Sequence, residues 1–470
     1  MSISRRTLLH SGYVAGVSLT ALAGFNFARG YSANAGLELV SDPNGILDLP
    51  KGYSYTVVST PGEIMSDGFF RPSLPDGMAC FPHPDDSDLC ILTRNHEIWP
   101  NITDGSPFGP DNALLANLPE GKLYDTKLDG SPFFGGVTNV IYNLKEKRME
   151  RDFLTLTGTT ANCAGGRTPW GTWLSCEEMQ LRAPDEANKY HGFVFEVPAD
   201  ATGPVDPVPL KAMGRFAHEA AAVALETDII YMTEDNRTGL FYRFVPNKKR
   251  RLEKGGRLQA LVIKDWNSAD TRNWPLDWSS GDARRISAGD IFEVEWIDLD
   301  DVEAPNADLA ERGHAAGAAY FCRGEGIEYG IRKGERGSIF FNCTQGGVSR
   351  TGQVWQYTPS PREGRRREDR EPGKLTLLYE SPSADVLDLC DNLAIAPSGD
   401  LILCEDGAGD QYLRGLTQDG KIYDIARNAV PDKSEFCGAC FSPDGKVMFV
   451  NLQGSGHTLA IEGPWSNSPV

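Results

Sequence analysis

The sequence predicts an all-β fold, a six-bladed β-propeller with loop and short helical insertions, and three observations predict it. A Pro-x-Gly turn recurs at fixed offsets from acidic or thiol residues. Strand-like runs end repeatedly in polar groups: RNHE at 94, CEE at 176, TEDN at 233, NCTQ at 342, CEDG at 404 and VNLQ at 450. Gly (50 residues) and Pro (30 residues) favour many turns and short strands over long helices. A turn repeated at fixed offsets is one structural unit used several times, and six such units fit blades around a central channel.

The first 35 of the 470 residues stand outside that repeat. Ser4-Arg5-Arg6-Thr7-Leu8-Leu9 forms a twin-arginine segment, Gly12 to Phe25 is moderately apolar, and Ala33-Asn34-Ala35 offers a small-residue cleavage site. The apolar run is shorter than the ~20 residues a spanning helix needs. An export signal is therefore expected, with the twin-arginine translocase as partner, no stable membrane anchor, and a periplasmic or secreted mature chain. That route carries proteins already folded, which suits a chain that takes up a cofactor first.

Residues 36–470 read as one propeller domain. Gly52 to Thr60 is a first strand; Asp76 to Pro82 and Leu89 to Glu97 form a hairpin ending in polar groups. Residues 100–135, rich in Pro, Gly and Asp, read as a long surface loop. Gly136 to Leu144, Arg151 to Leu156 and His191 to Val197 add strands, and Phe216 to Asn236 is the next unit. Residues from about 247 to 315 are the least repetitive and read as an insertion with some helix. The pattern resumes at Tyr320 to Tyr329 and Ser338 to Gln345, Arg362 to Arg370 is a solvated loop of mixed charge, and His457 to Ile461 is a candidate closing strand.

Charge narrows the partners. A net charge of −19 disfavours nucleic acid or an anionic membrane, because like charges repel at long range. An anionic substrate would need a local cationic centre. Most of the ten cysteines, such as Cys80, Cys90, Cys176, Cys343 and Cys404, lie in apolar runs and are expected to be free thiols acting as small hydrophobes. Cys437-Gly438-Ala439-Cys440 has a metal-knuckle spacing, but no second pair accompanies it.

The repeat itself points to chemistry. In NCAGGRTPWGTWLSCEE, Cys163 lies one hairpin from Glu177 and Glu178; in DNLAIAPSGDLILCED, Asp391 stands where Cys163 stood, and Glu405 and Asp406 match the Glu pair. Asp76 precedes Pro82 by the spacing that separates Asp391 from Pro397. If equivalent positions face the channel, Cys163, Asp391, Glu177, Glu219, Glu234, Glu325 and Glu405 converge, and carboxylates so crowded stay ionised only beside cations. The repeat thus predicts a metal cluster in the channel. Hard oxygen ligands select calcium, magnesium or ferric iron, and one thiolate among them favours a transition metal. Adjacent strand residues point opposite ways, so the Glu177-Glu178 pair is expected to give one certain ligand. No HExxH, GxSxG, P-loop or dinucleotide fingerprint is present.

The stretches NCAGGRTPWGTWLSCEE, RFAHEAAAV, YMTEDN, RGEGIEY, CDNLAIAP, LCEDG and EFCGACFSPDG, behind a twin-arginine segment, closely resemble the PhoX family of bacterial alkaline phosphatases, from about Asp76 to Asn451. The resemblance implies a six-bladed propeller with a central iron (Fe3+) and calcium (Ca2+) cluster, acting as an exported, monomeric phosphomonoesterase. Carried onto matching positions, it makes Cys163 the thiolate ligand of iron and Glu219 and Glu325 carboxylate ligands from neighbouring blades. Glu177, Glu178, Asp391, Glu405 and Glu435 would hold calcium or bridge the metals. Arg323, with Glu325, would face the reacting phosphate, since its planar donor fork suits two phosphate oxygens. Asp235, Asn236, Asn392 and Asp406 would support these ligands. Two other classes remain open at this point. A calcium-dependent propeller hydrolase of lactones or esters would need neither Cys163 nor Arg323, and a non-catalytic binding propeller would need no metals.

Overall fold

The computed structural model describes residues 37–274, 284–331 and 336–469. The expected export signal at 1–35 lies outside them. Short apolar runs broken by Gly and Pro turns form antiparallel meanders, giving an all-β, propeller-like arrangement. Each meander begins with an inner strand: Pro75–Pro82, Asn162–Arg167, His218–Val223, Gly324–Gly330, Cys390–Ile395 and Phe436–Phe441. Each inner strand packs against the next, and the last packs against the first, closing a ring about a channel.

Close approach of these strands depends on small residues. A Cβ on Gly77 would lie 2.4 Å from the Ala164 Cα, and one on Gly438 would lie 2.3 Å from the Asp76 carbonyl oxygen. Asn side chains then tie neighbours together. Asn95 Nδ2 donates to the carbonyls of Cys163 and Ala164 at 3.1 and 2.6 Å, and Asn451 Nδ2 donates to that of Asp76 at 2.6 Å. Buried polar donors are thereby satisfied across the ring rather than within one sheet.

Hydrogen bonding divides the strands into five sheets rather than the expected six separate blades. Four sheets are distinct. The fifth has nine strands, because Ile291–Asp298 pairs with Gly256–Ile263 on one side and Gly373–Glu380 on the other. That strand covers two outer edges that would otherwise expose unpaired backbone groups. The segment expected to be a helix-bearing insertion at 247–315 therefore contributes two ladder strands, together with a short helix, Leu309–Ala315. Ser54–Ser59, from early in the chain, pairs with His457–Glu462 and completes the last sheet, while the strands before it, Leu39–Val40 and Leu47–Pro50, extend the preceding sheet beside Ile422–Asn428. All ten cysteines are free. Among the described residues no helix is long and apolar enough to cross a membrane.

Candidate metal centre

In all six inner strands the antiparallel register slips at one equivalent place, and in five of them the slip presents an acid or thiol. The pairs Pro75–His96, Asn162–Glu177, His218–Glu234, Gly324–Cys343 and Cys390–Glu405 are each followed by two residues facing one. Such a bulge re-aims the side chains of its extra residues. The first residue of each bulge is Asp76, Cys163, Glu219, Glu325 and Asp391, and all five are buried. In the sixth strand the slip brings Gly438 and Ala439, without an acid. Glu435, just ahead of that strand, supplies the carboxylate instead.

A second tier comes from the residue following the second strand of each meander. These are Glu97, Glu178, Asp235, Thr344, Asp406 and Gln453, after strands ending at His96, Glu177, Glu234, Cys343, Glu405 and Leu452. Glu178, Asp235, Asp406, Gln453 and also Glu435 are partly exposed, so the site opens to solvent on this side. On the other side of the bulges the channel continues as a cavity of about 910 Å³, lined by inner-strand residues such as Ala79, Gly166, Ala222, Ile327 and Ala394.

The two tiers meet. Single ligand atoms of Asp76, Glu97 and Cys163 lie within 4.8 Å of one another, as do those of Cys163, Glu178 and Glu219. The Cys163 thiol donates to Glu219 Oε1 at 3.0 Å. Gln453 Nε2 donates to Asp76 Oδ2 at 2.7 Å and to Glu97 Oε2 at 2.6 Å. Arg323 donates through Nε and Nη2 to the two oxygens of Asp235 at 2.8 and 3.0 Å, and its Nη2 is 2.7 Å from Glu325 Oε1. Asn392 Nδ2 holds Asp391 Oδ1 at 2.9 Å.

Electrostatics shows the strain in this set. Burial, then the charge of Asp391, pushes the Asp76 carboxyl well above the usual carboxylate range. Glu219 and Glu435 are raised in the same way, by burial and then by neighbouring carboxylates. Glu325 is raised by burial and by Asp235 and Asp391, against the opposing pull of Arg323. The Cys163 thiol is raised by burial and by Asp76 and Glu219. Among the described residues, nine carboxyl groups (Asp76, Glu97, Glu178, Glu219, Asp235, Glu325, Asp391, Asp406 and Glu435) and one thiol thus face one guanidinium, that of Arg323. Buried Asp76 Oδ1 accepts no hydrogen bond among the described residues, and Glu325 Oε1 is met by the Arg323 guanidinium at 2.7 Å. Cations offset the crowded charge, so this donor set fits metal ions.

Of the residues named from sequence, Cys163, Glu178, Glu219, Glu325, Asp391, Glu435 and Arg323 come together. Glu177 and Glu405 do not, which corrects the expectation that they bind metal. Glu177 Oε1 accepts from His191 Nδ1 at 2.6 Å and Thr160 N at 3.2 Å, and Oε2 accepts from Gly192 N and Phe193 N at 2.9 and 3.3 Å. Glu405 accepts from Arg414 Nε at 2.8 Å and from Asp388 N and Tyr412 N at 3.0 and 3.1 Å. Glu234, expected to converge too, accepts from Leu240 N at 3.0 Å and Tyr242 Oη at 2.7 Å. In all three meanders the last residue of the second strand fastens the start of the third, and the next residue turns inward. Asp235 and Asp406, expected as supporting residues, belong to the cluster itself. Asp76 and Glu97 were missing from the expected ligand set, although the spacing of Asp76 to Pro82 signalled the first of them.

A propeller-like fold whose channel gathers carboxylates, a thiol and an arginine defines a metal-dependent hydrolase. The chain belongs to the PhoX family: the family described as alkaline phosphatase PhoX matches residues 35–113 and 135–456. It is accordingly a phosphoric monoester hydrolase. Among solved structures it is similar to Pseudomonas fluorescens PhoX in complex with vanadate, a transition-state analogue, at 19% identity and TM-score 0.65, covering 91% of this chain and 97% of that one. A gluconolactonase from Xanthomonas campestris is similar at 10% identity and TM-score 0.36, covering 93% of this chain and 100% of that one. No curated protein matches the chain significantly.

Proposed function

We propose that this chain is an exported, monomeric alkaline phosphatase that hydrolyses phosphomonoesters at an iron and calcium cluster held in the channel of a six-bladed propeller. The observation that carries this reading is the two-tier ring of nine carboxyl groups and one thiol, with Arg323 set among them at its solvent side. The closed ring of six inner strands supports the blade count. The twin-arginine segment at residues 1–35 supports export, with 36–470 as the mature domain.

Cys163 with Glu178 and Glu219 forms the thiolate-bearing group suited to ferric iron, and Asp76, Glu97, Glu325, Asp391 and Glu435 offer hard oxygens suited to calcium. When bound, these ions supply the positive charge that receives the phosphoryl oxygens and activates water. In the overall reaction the oxygen of water bonds to phosphorus, the ester P–O bond breaks, and the leaving alcohol takes a proton. Arg323 binds a non-bridging phosphoryl oxygen and stabilises charge as it builds on the phosphoryl group. Asp235 fixes the plane of that guanidinium through its two-point pairing, and Glu325 holds its free end toward the cluster.

The test is to purify the exported chain, measure iron and calcium, and assay p-nitrophenyl phosphate hydrolysis. Iron with calcium and phosphatase activity are expected, with both iron and activity lost in Cys163→Ala. Full activity in Cys163→Ala overturns the assignment, and calcium without iron demotes Cys163 to a core residue.

A further inference from the structure

We propose that Arg237 and Arg350, on the rim beside Arg323, form a second anion subsite that favours phosphate compounds carrying an additional phosphoryl group. The proposal rests on the phosphatase reading of the central site.

Position comes first. Arg237 lies two residues beyond Asp235, whose carboxylate grips Arg323. The Arg323 amide donates to the Asn236 carbonyl at 2.9 Å, and the Thr344 amide donates to the Arg323 carbonyl at 2.9 Å. Arg237 and Gln345 therefore follow directly on the residues that frame Arg323, and Arg237 Nε donates to Gln345 Oε1 at 3.0 Å. The Gln345 carbonyl accepts from Trp274 Nε1 at 2.9 Å. Over that indole lie two guanidinium groups, Arg272 at 4.7 Å and Arg350 at 4.5 Å from the ring centroid.

Charge separates these arginines into two kinds. Arg323 is paired with Asp235 and Glu325, and Arg272 is paired with Asp270 through Nε at 2.8 Å and Nη2 at 2.6 Å. Arg237 and Arg350 are exposed and, among the described residues, neither has a carboxylate within 4.0 Å. Gln345 holds Arg237, and the Trp274 ring holds Arg350. Each arm is tethered through a neutral partner, which leaves guanidinium N–H groups free for an incoming anion.

The chemistry that fits is a second phosphate. A simple monoester satisfies Arg323 and the central site and leaves the rim pair unused. A nucleoside diphosphate places its terminal phosphoryl group at the centre and presents its inner phosphate to the rim. Trp274, with the guanidinium groups of Arg272 and Arg350 both within 4.7 Å of its ring centroid, acts as a support for the cations and not as a stacking platform for a base. The selectivity is thus for the second phosphoryl group and not for the nucleoside.

The experiment compares AMP with ADP, which share the nucleoside and differ by one phosphate, using the metal-replete full chain. The double variant Arg237→Gln, Arg350→Gln is expected to lower kcat/KM for ADP by about 10-fold or more and to change that for AMP by less than about 2-fold, the loss of a charge-assisted contact being confined to the compound that makes it. The salt dependence of the ADP reaction should shrink in parallel. Equal losses for both compounds, or none for either, overturn the subsite. If the wild-type chain hydrolyses neither compound, the phosphatase reading fails, and calorimetric titration with ADP still decides the subsite. The wild type must then bind ADP about 10-fold more tightly than the double variant, and equal affinities overturn it.

Discussion

Glu177 and Glu178 are consecutive residues whose carboxylates face different environments. Glu177 meets His191 Nδ1 at 2.6 Å and three backbone amides in the protein interior, while Glu178 offers an oxygen within 4.8 Å of the ligand atoms of Cys163 and Glu219. The end of the strand at Glu177 separates them, because alternation sends the last strand residue outward and leaves the next free to turn into the channel.

Their substitutions should therefore fail differently. Glu177→Gln removes one partner of a buried charged pair and is expected to cost about 3 kcal/mol or more of stability. Glu178→Gln should leave the melting temperature of metal-stripped protein unchanged or higher, and should lower metal content and activity. Thermal melts beside elemental analysis separate the two. A Glu178→Gln protein with full metal content would remove that residue from the ligand set.

His191 gives a stability signature in pH. Burial alone would lower its basicity, but Glu177 and Asp125 overcome this and raise its pKa to about 9. A raised histidine binds its proton more tightly in the folded chain, so its contribution is complete below the unfolded value near 6.5 and is lost as pH rises through about 9. On the order of 3 kcal/mol is at stake across that window. Urea titrations of wild type and His191→Gln should converge above about pH 9; a constant gap between them would show that the imidazole is neutral throughout.

Much of this architecture is legible in the chain. The Pro-x-Gly turns point to Cys163 and Asp391 because each glycine, with φ of 83° at Gly171 and 92° at Gly399, ends a hairpin of constant length. Counting back from the turn then finds the bulge. The acid pairs were harder, because CEE and CED do not reveal which residue ends the strand, and that single boundary decides between a structural carboxylate and a ligand. Glu97 was hidden by the same ambiguity in RNHE, where His96 takes the structural position and bonds Thr138 and the Ser73 carbonyl. The joining strand Ile291–Asp298 carries a strand period, Phe292, Val294 and Trp296 alternating with Glu293 and Glu295 and packing on the core, but nothing in that pattern reveals that it pairs on both sides and joins two meanders.

Arg323 should matter for the reaction more than for the fold. It is partly exposed, and its guanidinium stays charged because Glu325 and Asp235 outweigh the cost of its burial. Arg323→Ala is expected to lower kcat by about 100-fold or more, the scale seen when one donor to a developing oxyanion is lost. Arg323→Lys should recover little, because an ammonium cannot reproduce the two-point pairing with Asp235. Steady-state kinetics with metal content held equal tests this, and near-wild-type kcat in both variants would assign Arg323 to charge balance alone.

Metal removal should convert the centre into a source of instability whose size depends on pH. Asp76, Glu97, Glu178, Glu219, Glu325 and Glu435 all have carboxyls raised by burial and then by neighbouring carboxylates of the cluster, Asp391, Asp235 and Asp406 among them, and Asp406 is raised to about 7 by burial and Asp391. Without cations, the folded chain holds protons that the unfolded chain releases. Its stability is then greatest below the unfolded carboxylate value near 4 and falls as pH rises through the raised folded values, that of Asp406 at about 7 among them. Chelated protein should accordingly lose melting temperature steadily from about pH 5 to about pH 8, whereas protein reloaded with iron and calcium should not, because bound cations replace the protons. Glu219→Gln, by removing one of the mutually repelling groups, should raise the melting temperature of the chelated form near neutral pH and lower that of the loaded form. The opposite signs distinguish a metal centre from an ordinary buried acid network, in which the substitution would act in one direction under both conditions.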